Sequence, residues 1–95
     1  MVSIEGNEVI VKLPETFGYA IRKEFRQFTS KNTPGIHYTF DFENVEKMES
    51  SALGMLLMLR EVSGGEKDNI VLTNANSNIR KILQFANFHT MFKII

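Results

Sequence analysis

The sequence predicts a small α/β domain built on a mostly parallel sheet. Short apolar segments with strand character alternate with amphipathic helical segments, in the order strand, strand, helix, strand, helix, strand, helix, strand. Neighbouring parallel strands need a long crossover connection, which a helix usually supplies in a right-handed sense. The 95 residues, 43% of them hydrophobic, suffice for one core but not for two. We therefore expect one domain over residues 1–95, with a mixed sheet of about five strands and helices packed on it.

The N-terminal segment predicts a hairpin followed by the first helix. Residues 2–12 alternate weakly between apolar and polar, and Gly6-Asn7 supplies a tight turn. Pro14 then breaks the pattern, and Thr16 is expected to cap a helix whose apolar residues recur at spacings of four, four and three. The predicted apolar stripe is Phe17, Ile21, Phe25 and Phe28, and the predicted solvent side is Arg22, Lys23, Arg26 and Gln27.

The middle of the chain predicts a loop, a strand and a second loop. Residues 31–35 are dense in turn-forming residues and are expected to form an exposed loop. Residues 36–42 alternate apolar and polar side chains with a period of two, which is typical of a half-buried strand. Residues 43–49 are mostly polar and are expected to leave the carboxyl end of that strand as a loop.

Two further helices and two strands complete the prediction. The second helix is expected to start at Ser50 or Ser51 and to stop near residues 63–65, where glycines can adopt the left-handed conformation. A short strand follows at residues 69–73, and a last strand is expected within residues 91–95. Asn76 or Ser77 should cap the third helix, whose predicted inner face is Ile79, Ile82, Leu83 and Ala86.

The second helix has one face that the core does not account for. Its predicted core-facing side is Ala52, Met55, Leu56, Leu59 and Val62, widened by Leu53 and Leu57. The remaining direction carries Ser51, Gly54, Met58 and Glu61. Glycine lowers helix stability and an exposed methionine leaves apolar area in water, so a purely solvated face is a poor explanation. Either Gly54 permits close packing and a loop covers Met58, or the face is a docking surface with methionine as a deformable contact.

Composition argues against several classes of partner and location. Eleven basic and eleven acidic residues leave no net charge, and no run of five like charges occurs, which argues against nucleic acid or an anionic membrane as partner. Without cysteine there is neither a disulfide framework nor a thiolate metal site. The N-terminus lacks the pattern of a secretion signal, and no apolar run reaches the length of a membrane span. A cytoplasmic protein is expected.

The residues that could carry chemistry favour neither catalysis nor a cofactor. His37 and His89 lack a second ligand one helical turn away, as zinc motifs require, so no metal site is predicted. Gly64-Gly65 is interpreted as a helix stop rather than a phosphate-binding loop. Four acidic residues cluster around one loop, and the sequence places no histidine or basic residue where it could adjust their acidity. They are interpreted as a solvated acidic loop and are Asp41, Glu43, Glu46 and Glu49. We predict no enzyme activity and no cofactor.

Three features of the central region are together similar to one protein family. A strand ends in Phe40-Asp41-Phe42, a loop carries Val45 and Met48, and residues 49–54, Glu-Ser-Ser-Ala-Leu-Gly, open an apolar helix. The combination resembles the STAS domain of bacterial anti-sigma factor antagonists, and the resemblance covers essentially the whole chain. It extends to the strand at residues 69–73, the helix at residues 76–86 and the closing segment.

The resemblance implies a partner-switching function controlled by phosphorylation. In that family a cognate serine kinase, often itself the anti-sigma factor, phosphorylates the first hydroxyl residue after an acid at the helix start, and a metal-dependent serine phosphatase removes the phosphate. Matched by position, Ser50 is the implied phosphorylation site and Ser51 its hydroxyl neighbour. The expected partner-binding residues are Glu49, Ser51, Gly54, Met58 and Glu61.

The chain departs from the family pattern at three positions. Glu49 stands where the family usually has Asp, Ala52 stands where it usually has Gly, and Gly18 is nearest to a position that often carries Asp. Two alternative functions accompany the resemblance. One is a constitutive STAS subunit of a transporter complex, which would need no phosphate. The other is a switch with a non-sigma output, such as a biofilm regulator or a diguanylate cyclase.

Overall fold

A mixed five-stranded sheet forms the centre of the protein, and the predicted fold class is confirmed. The computed structural model describes residues 2–29 and 35–95. The elements are, in chain order, β1 (Val2–Glu5), β2 (Glu8–Lys12), β3 (Thr16–Phe17), α1 (Arg22–Thr29), β4 (His37–Asp41), β5 (Lys47–Met48), α2 (Ser50–Val62), β6 (Ile70–Thr73), α3 (Ser77–Phe85) and β7 (Lys93–Ile94). In the sheet the strands lie in the order β1, β2, β4, β6, β7. Among the described strands of this sheet, only the β1–β2 pair is antiparallel.

The three helices cover one face of the sheet. From β2 to β7 each successive strand of the main sheet lies beside the previous one, and each step passes through a helix. Right-handed crossovers that step in one direction place all their helices on the same side. The buried strand residues share that side and are Val9, Val11, Tyr38, Phe40, Ile70 and Leu72. On the opposite side Ile10, in register with Thr39, is 47% exposed.

Aromatic packing fixes α1 against the sheet. The Phe25 ring stacks on Phe40 at 5.6 Å between centroids and on Phe17 at 6.2 Å. Phe17 in turn meets the edge of Phe42 at 5.8 Å. Such pairs contribute about 0.5–1.5 kcal/mol each beyond the area they bury. The predicted alternation over residues 36–42 is confirmed, because Tyr38, Phe40 and Phe42 are all buried.

The ends of α2 and α3 are formed by the residue types that the sequence suggested. Gly64 and Gly65 follow α2 with φ of +97° and +76°, the left-handed region that ends helices. At the start of α3, the Asn76 Oδ1 accepts a hydrogen bond from the Ile79 amide at 2.9 Å. The Asn76 Nδ2 also donates to the Val45 carbonyl at 3.2 Å, which ties α3 to the loop after β4.

A second, two-stranded sheet was not predicted. Thr16 and Phe17 in β3 pair in parallel with Lys47 and Met48 in β5. Residues 16 and 17 are therefore extended, so Thr16 does not cap a helix, and α1 begins only at Arg22 after a 3-10 turn at Tyr19–Ile21. The spacing of four between Phe17 and Ile21 matches a helical repeat, although Phe17 lies in a strand and Ile21 in the 3-10 turn.

Three apolar residues predicted to face the core lie at its flanks. Val62 is 63%, Leu57 is 40% and Ile82 is 37% exposed. The reason is that the contact of each helix with the sheet is a narrow stripe, formed in α2 by Ala52, Leu56 and Leu59 and in α3 by Ile79 and Leu83.

The structure also bears on the expected loop at residues 31–35 and on the predicted absence of a membrane span. Residues 31–34 of the expected exposed loop lie outside the described residues, whereas Gly35 is exposed with a φ of +92°. Within residues 2–29 and 35–95, no helix has both the length and the hydropathy needed to cross a membrane.

Candidate functional site

The junction between β3 and α2 is held by a backbone pair and one carboxylate. The pairing of β3 with β5 places Gly18 and Tyr19 beside Glu49, and the Glu49 amide donates to the Phe17 carbonyl at 2.9 Å. The Glu49 carboxylate then accepts a hydrogen bond from the Tyr19 backbone N–H at 2.9 Å. Glu49 is the N-cap of α2, yet its side chain makes no capping bond to that helix. It therefore links the start of α2 to the turn that precedes α1.

Gly18 leaves the space that the Glu49 side chain occupies. A Cβ atom on Gly18 would overlap the Glu49 carboxylate and its adjoining methylene, and Gly18 itself is buried. Gly18 and Glu49 thus fit each other. The position near Gly18, expected to lack an acid, receives the carboxylate of the longer Glu49.

The two serines at the start of α2 have different surroundings. Ser50, the first residue of the helix, is exposed. Ser51 is half-buried, and its Oγ is shielded from solvent without a hydrogen-bond partner among the described residues. Ser50 is therefore open to solvent, whereas the Ser51 hydroxyl is not.

An open groove of about 680 Å³ runs between α1 and α2, and we call it the α1–α2 groove. Its α1 side is formed by Tyr19, Arg22, Phe25, Arg26 and Thr29. Its α2 side is formed by Ser51, Gly54, Met55, Met58, Leu59 and Val62. Three of the five predicted partner-binding residues, Ser51, Gly54 and Met58, therefore line one groove. Its walls are largely apolar, with polar groups at a few positions, as is usual for binding sites.

Gly54 has no packing role among residues 2–29 and 35–95. It is exposed, and a Cβ atom added there would meet no heavy atom within 4 Å. Met58 is 62% exposed, so it is not covered by a loop in the part of the chain that the structure describes. The alternative in which both residues serve only internal packing therefore lacks support in the structure.

The other predicted site residues lie apart from the groove walls. Glu49 is engaged with Tyr19, and Glu61 is exposed on α2 but does not line the groove. The acidic residues around the loop also have separate contacts: Asp41 accepts from the Glu43 amide and from Asn74, and Glu43 pairs with Lys12 at 3.7 Å. No three His, Cys, Asp or Glu residues of residues 2–29 and 35–95 are placed to hold a metal ion.

Two arginines predicted on the solvent side of α1 line the groove; Arg26 is exposed as predicted, whereas Arg22 is not. Arg22 is half-buried, its guanidinium carbon lies 4.5 Å from the centre of the Tyr19 ring, and its Nε is buried without a described hydrogen-bond partner. Arg26, one helical turn later, lines the same wall. Their spacing of four was visible in the sequence and places them on one helix face. It could not show that this face turns toward α2.

With this geometry in place, comparison with known proteins identifies the family. A family model described as "Mlab, STAS domain" matches residues 1–94. The chain belongs to the STAS domain family. This STAS domain is also 38% identical over 94 residues to a STAS-domain containing protein of Pseudomonas aeruginosa strain UCBPP-PA14, with 97% of this chain and 92% of that protein covered.

Solved structures of low sequence identity share the fold of this STAS domain. The anti-sigma factor antagonist SpoIIAA in its unphosphorylated form superposes with a TM-score of 0.81 at 17% identity, covering 100% of this chain and 86% of SpoIIAA. A Thermotoga maritima protein with the provisional description of anti-sigma factor antagonist gives a TM-score of 0.75 at 19% identity, covering 99% of this chain and 83% of that one. At these identities the likeness establishes the fold.

Proposed function

We propose that this STAS domain is a cytoplasmic partner-switching regulator without catalytic activity. Its unphosphorylated form binds a regulatory protein through the start of α2 and the α1–α2 groove. The partner is an anti-sigma factor with a serine kinase domain, and a metal-dependent serine phosphatase reverses the modification. Support comes from family membership and from the fold shared with SpoIIAA, an anti-sigma factor antagonist whose structure is of an unphosphorylated form.

Gly54 is the observation that carries the docking part of this proposal. A glycine inside an exposed helix lowers stability by about 1 kcal/mol relative to alanine. No neighbour in the described chain requires it, because the space beside its Cα is open. A surface that must let another backbone approach closely does require it. The exposed apolar side chains of Met58 and Val62 on the same wall have the same explanation.

Ser50 is the hydroxyl that suits control by phosphorylation. It is exposed at the first position of α2, where a phosphate would meet the positive end of the helix dipole, so the fold tolerates it. The phosphate adds a charge of about −1.5 to −2 at neutral pH. Placed beside Glu49 and an apolar groove, that charge repels acidic groups of a partner and is costly to bury. Partner binding is lost while the domain remains folded.

The test uses the purified domain and an anti-sigma factor with a serine kinase domain from the same organism. We expect Ser50→Ala to bind that protein as the wild type does and Ser50→Asp to bind it much more weakly. Ser77→Asp is the matched control, because Ser77 is also an exposed first residue of a helix but lies on α3. Equal binding by Ser50→Asp and Ser50→Ala contradicts the switch and favours the constitutive STAS subunit instead.

A further inference from the structure

Both walls of the α1–α2 groove are helices, and this restricts what can fill it. At 1.5 Å per residue, the 8 residues of α1 and the 13 residues of α2 form walls of about 12 and 20 Å. The backbone groups of a helix are largely hydrogen-bonded within it, so an extended peptide would find few partners for its backbone N–H and C=O groups on these walls. A helix satisfies its own backbone, and apolar residues on one face can pack against both walls.

The groove is cationic as well as apolar. Arg22 and Arg26 line it, and none of the lining residues that the structure describes is acidic. The two buried side-chain polar atoms of the described chain without a hydrogen-bond partner, Arg22 Nε and Ser51 Oγ, belong to residues that line this groove. Both are donors, and buried donors are normally paired, so the polar groups of these two residues are not satisfied within the described chain. Glu49, the acid at the start of α2, accepts a hydrogen bond from the Tyr19 amide.

We propose that the α1–α2 groove receives a single amphipathic helix of the partner protein, whose acidic side chain pairs with Arg22 and Arg26. This inference rests on the proposed function and names the chemistry of the docking element. Gly54 lets the incoming helix approach closely, and Met58 adjusts to its apolar face. A negative group on Ser50 adjoins Ser51 at the same groove, so it repels an acidic helix and releases it.

The test titrates isotope-labelled domain with a stapled helical peptide and follows the backbone amide signals by NMR. The peptide carries leucines at i, i+4, i+7 and i+11 with flanking glutamates, and its control replaces every glutamate with lysine. We expect the glutamate peptide to shift signals of α1 and α2, including Gly54, and the lysine peptide to bind at least about tenfold more weakly. Equal binding of the two peptides, or shifts confined to other elements, overturns the proposal.

Neutral arginine variants locate the contact. Arg22→Gln and Arg26→Gln should each weaken binding of the glutamate peptide by about tenfold. Lys23→Gln, an exposed residue of α1 outside the groove, should leave it unchanged. If Arg22→Gln disturbs the fold, Arg26→Gln still tests the contact, because Arg26 is exposed and its substitution should leave the fold intact. Peptide binding that neither arginine variant changes overturns the proposal, and so does decanoate binding to the groove without any peptide binding.

Titrating the Ser50→Asp variant with the glutamate peptide separates the helix-docking proposal from the proposed control by Ser50. If the glutamate peptide binds the wild type and Ser50→Asp equally, the docking chemistry stands and the control by Ser50 fails. If no peptide binds but Ser50→Asp still releases the kinase-domain partner, the switch stands and the helix-docking proposal is wrong.

Discussion

Among single residues, Glu49 and Gly18 form a coupled pair at the junction of β3 with α2. The Glu49 carboxylate reaches the Tyr19 amide through the space that a side chain at position 18 would fill. An alanine at position 18 displaces a flexible side chain rather than backbone. Its cost is therefore the hydrogen bond that Glu49 loses.

Gly18→Ala and Glu49→Ala should for this reason be non-additive. Each removes the same exposed hydrogen bond, so each should lower the free energy of unfolding by about 1 kcal/mol. The double variant should be no less stable than either single variant, because the second change removes nothing further. Urea unfolding of the four proteins measures this coupling. Additive losses would show that Gly18 has a separate packing role.

Because Tyr38 is buried, we expect the free energy of unfolding to fall at alkaline pH. Tyr38 is 1% exposed, and burial raises the pKa of its phenol above the ordinary value of 10.0. Below that value the phenol is protonated in both the folded and the unfolded chain. Above it the unfolded chain releases its proton first, so stability falls as pH rises toward the raised pKa.

Urea unfolding at about pH 8 and about pH 11 tests this sign. The wild type should lose more stability between the two pH values than Tyr38→Phe does. The comparison uses the change with pH within each protein, which removes any constant effect of the substitution. A Tyr38→Phe protein with the same loss as the wild type would assign the alkaline sensitivity to other groups.

Among the elements, α2 combines a core-facing stripe with a wall that is not optimised for stability. Gly54→Ala should raise the free energy of unfolding by about 1 kcal/mol, because alanine favours the helix and its Cβ meets no atom. For a domain of this size that corresponds to an increase in Tm of about 4–8 °C. The same variant should bind the partner more weakly, because the added Cβ takes up space on the groove wall that the partner's backbone approaches.

Gly64→Ala is the matched control for that prediction. Its Cβ also meets open space, but Gly64 has a φ of +97°, which strains any residue with a side chain. The two substitutions should therefore change the Tm in opposite directions in thermal denaturation followed by circular dichroism. A fall in Tm for Gly54→Ala would mean that the glycine is needed by the fold itself.

The start of α3 depends on one cap. Asn76→Ala removes the capping bond from the Ile79 amide and also the bond to the Val45 carbonyl, so it should lower the free energy of unfolding by about 1–2 kcal/mol, with a corresponding fall in Tm. Ser77→Ala, at the adjacent exposed position, should change it by less than about 0.5 kcal/mol. Similar effects of both substitutions would argue against the capping role of Asn76.

For the whole molecule, periodic patterns predicted the main sheet and its helices, whereas long-range pairing escaped them. The alternation at residues 36–42 and the end of α2 at its glycines are set by residues close together in the sequence. Both could therefore be predicted from the sequence. The β3–β5 pair joins residues 16–17 to residues 47–48, and two-residue strands carry no periodic signal. The same limit applies to the groove. Its α2 wall stood out as an unexplained helix face, but its arginine wall depends on how α1 packs.

The proposed switch requires phosphorylation of Ser50. Intact-mass analysis of the domain, isolated from its own cells or incubated with their extract and ATP, measures this most directly, with Ser50→Ala and Ser51→Ala as the variants. We predict the mass of one phosphate on the wild type and on Ser51→Ala, and none on Ser50→Ala. Absence of phosphate from the wild type, or its persistence on Ser50→Ala, would contradict the proposed control by Ser50.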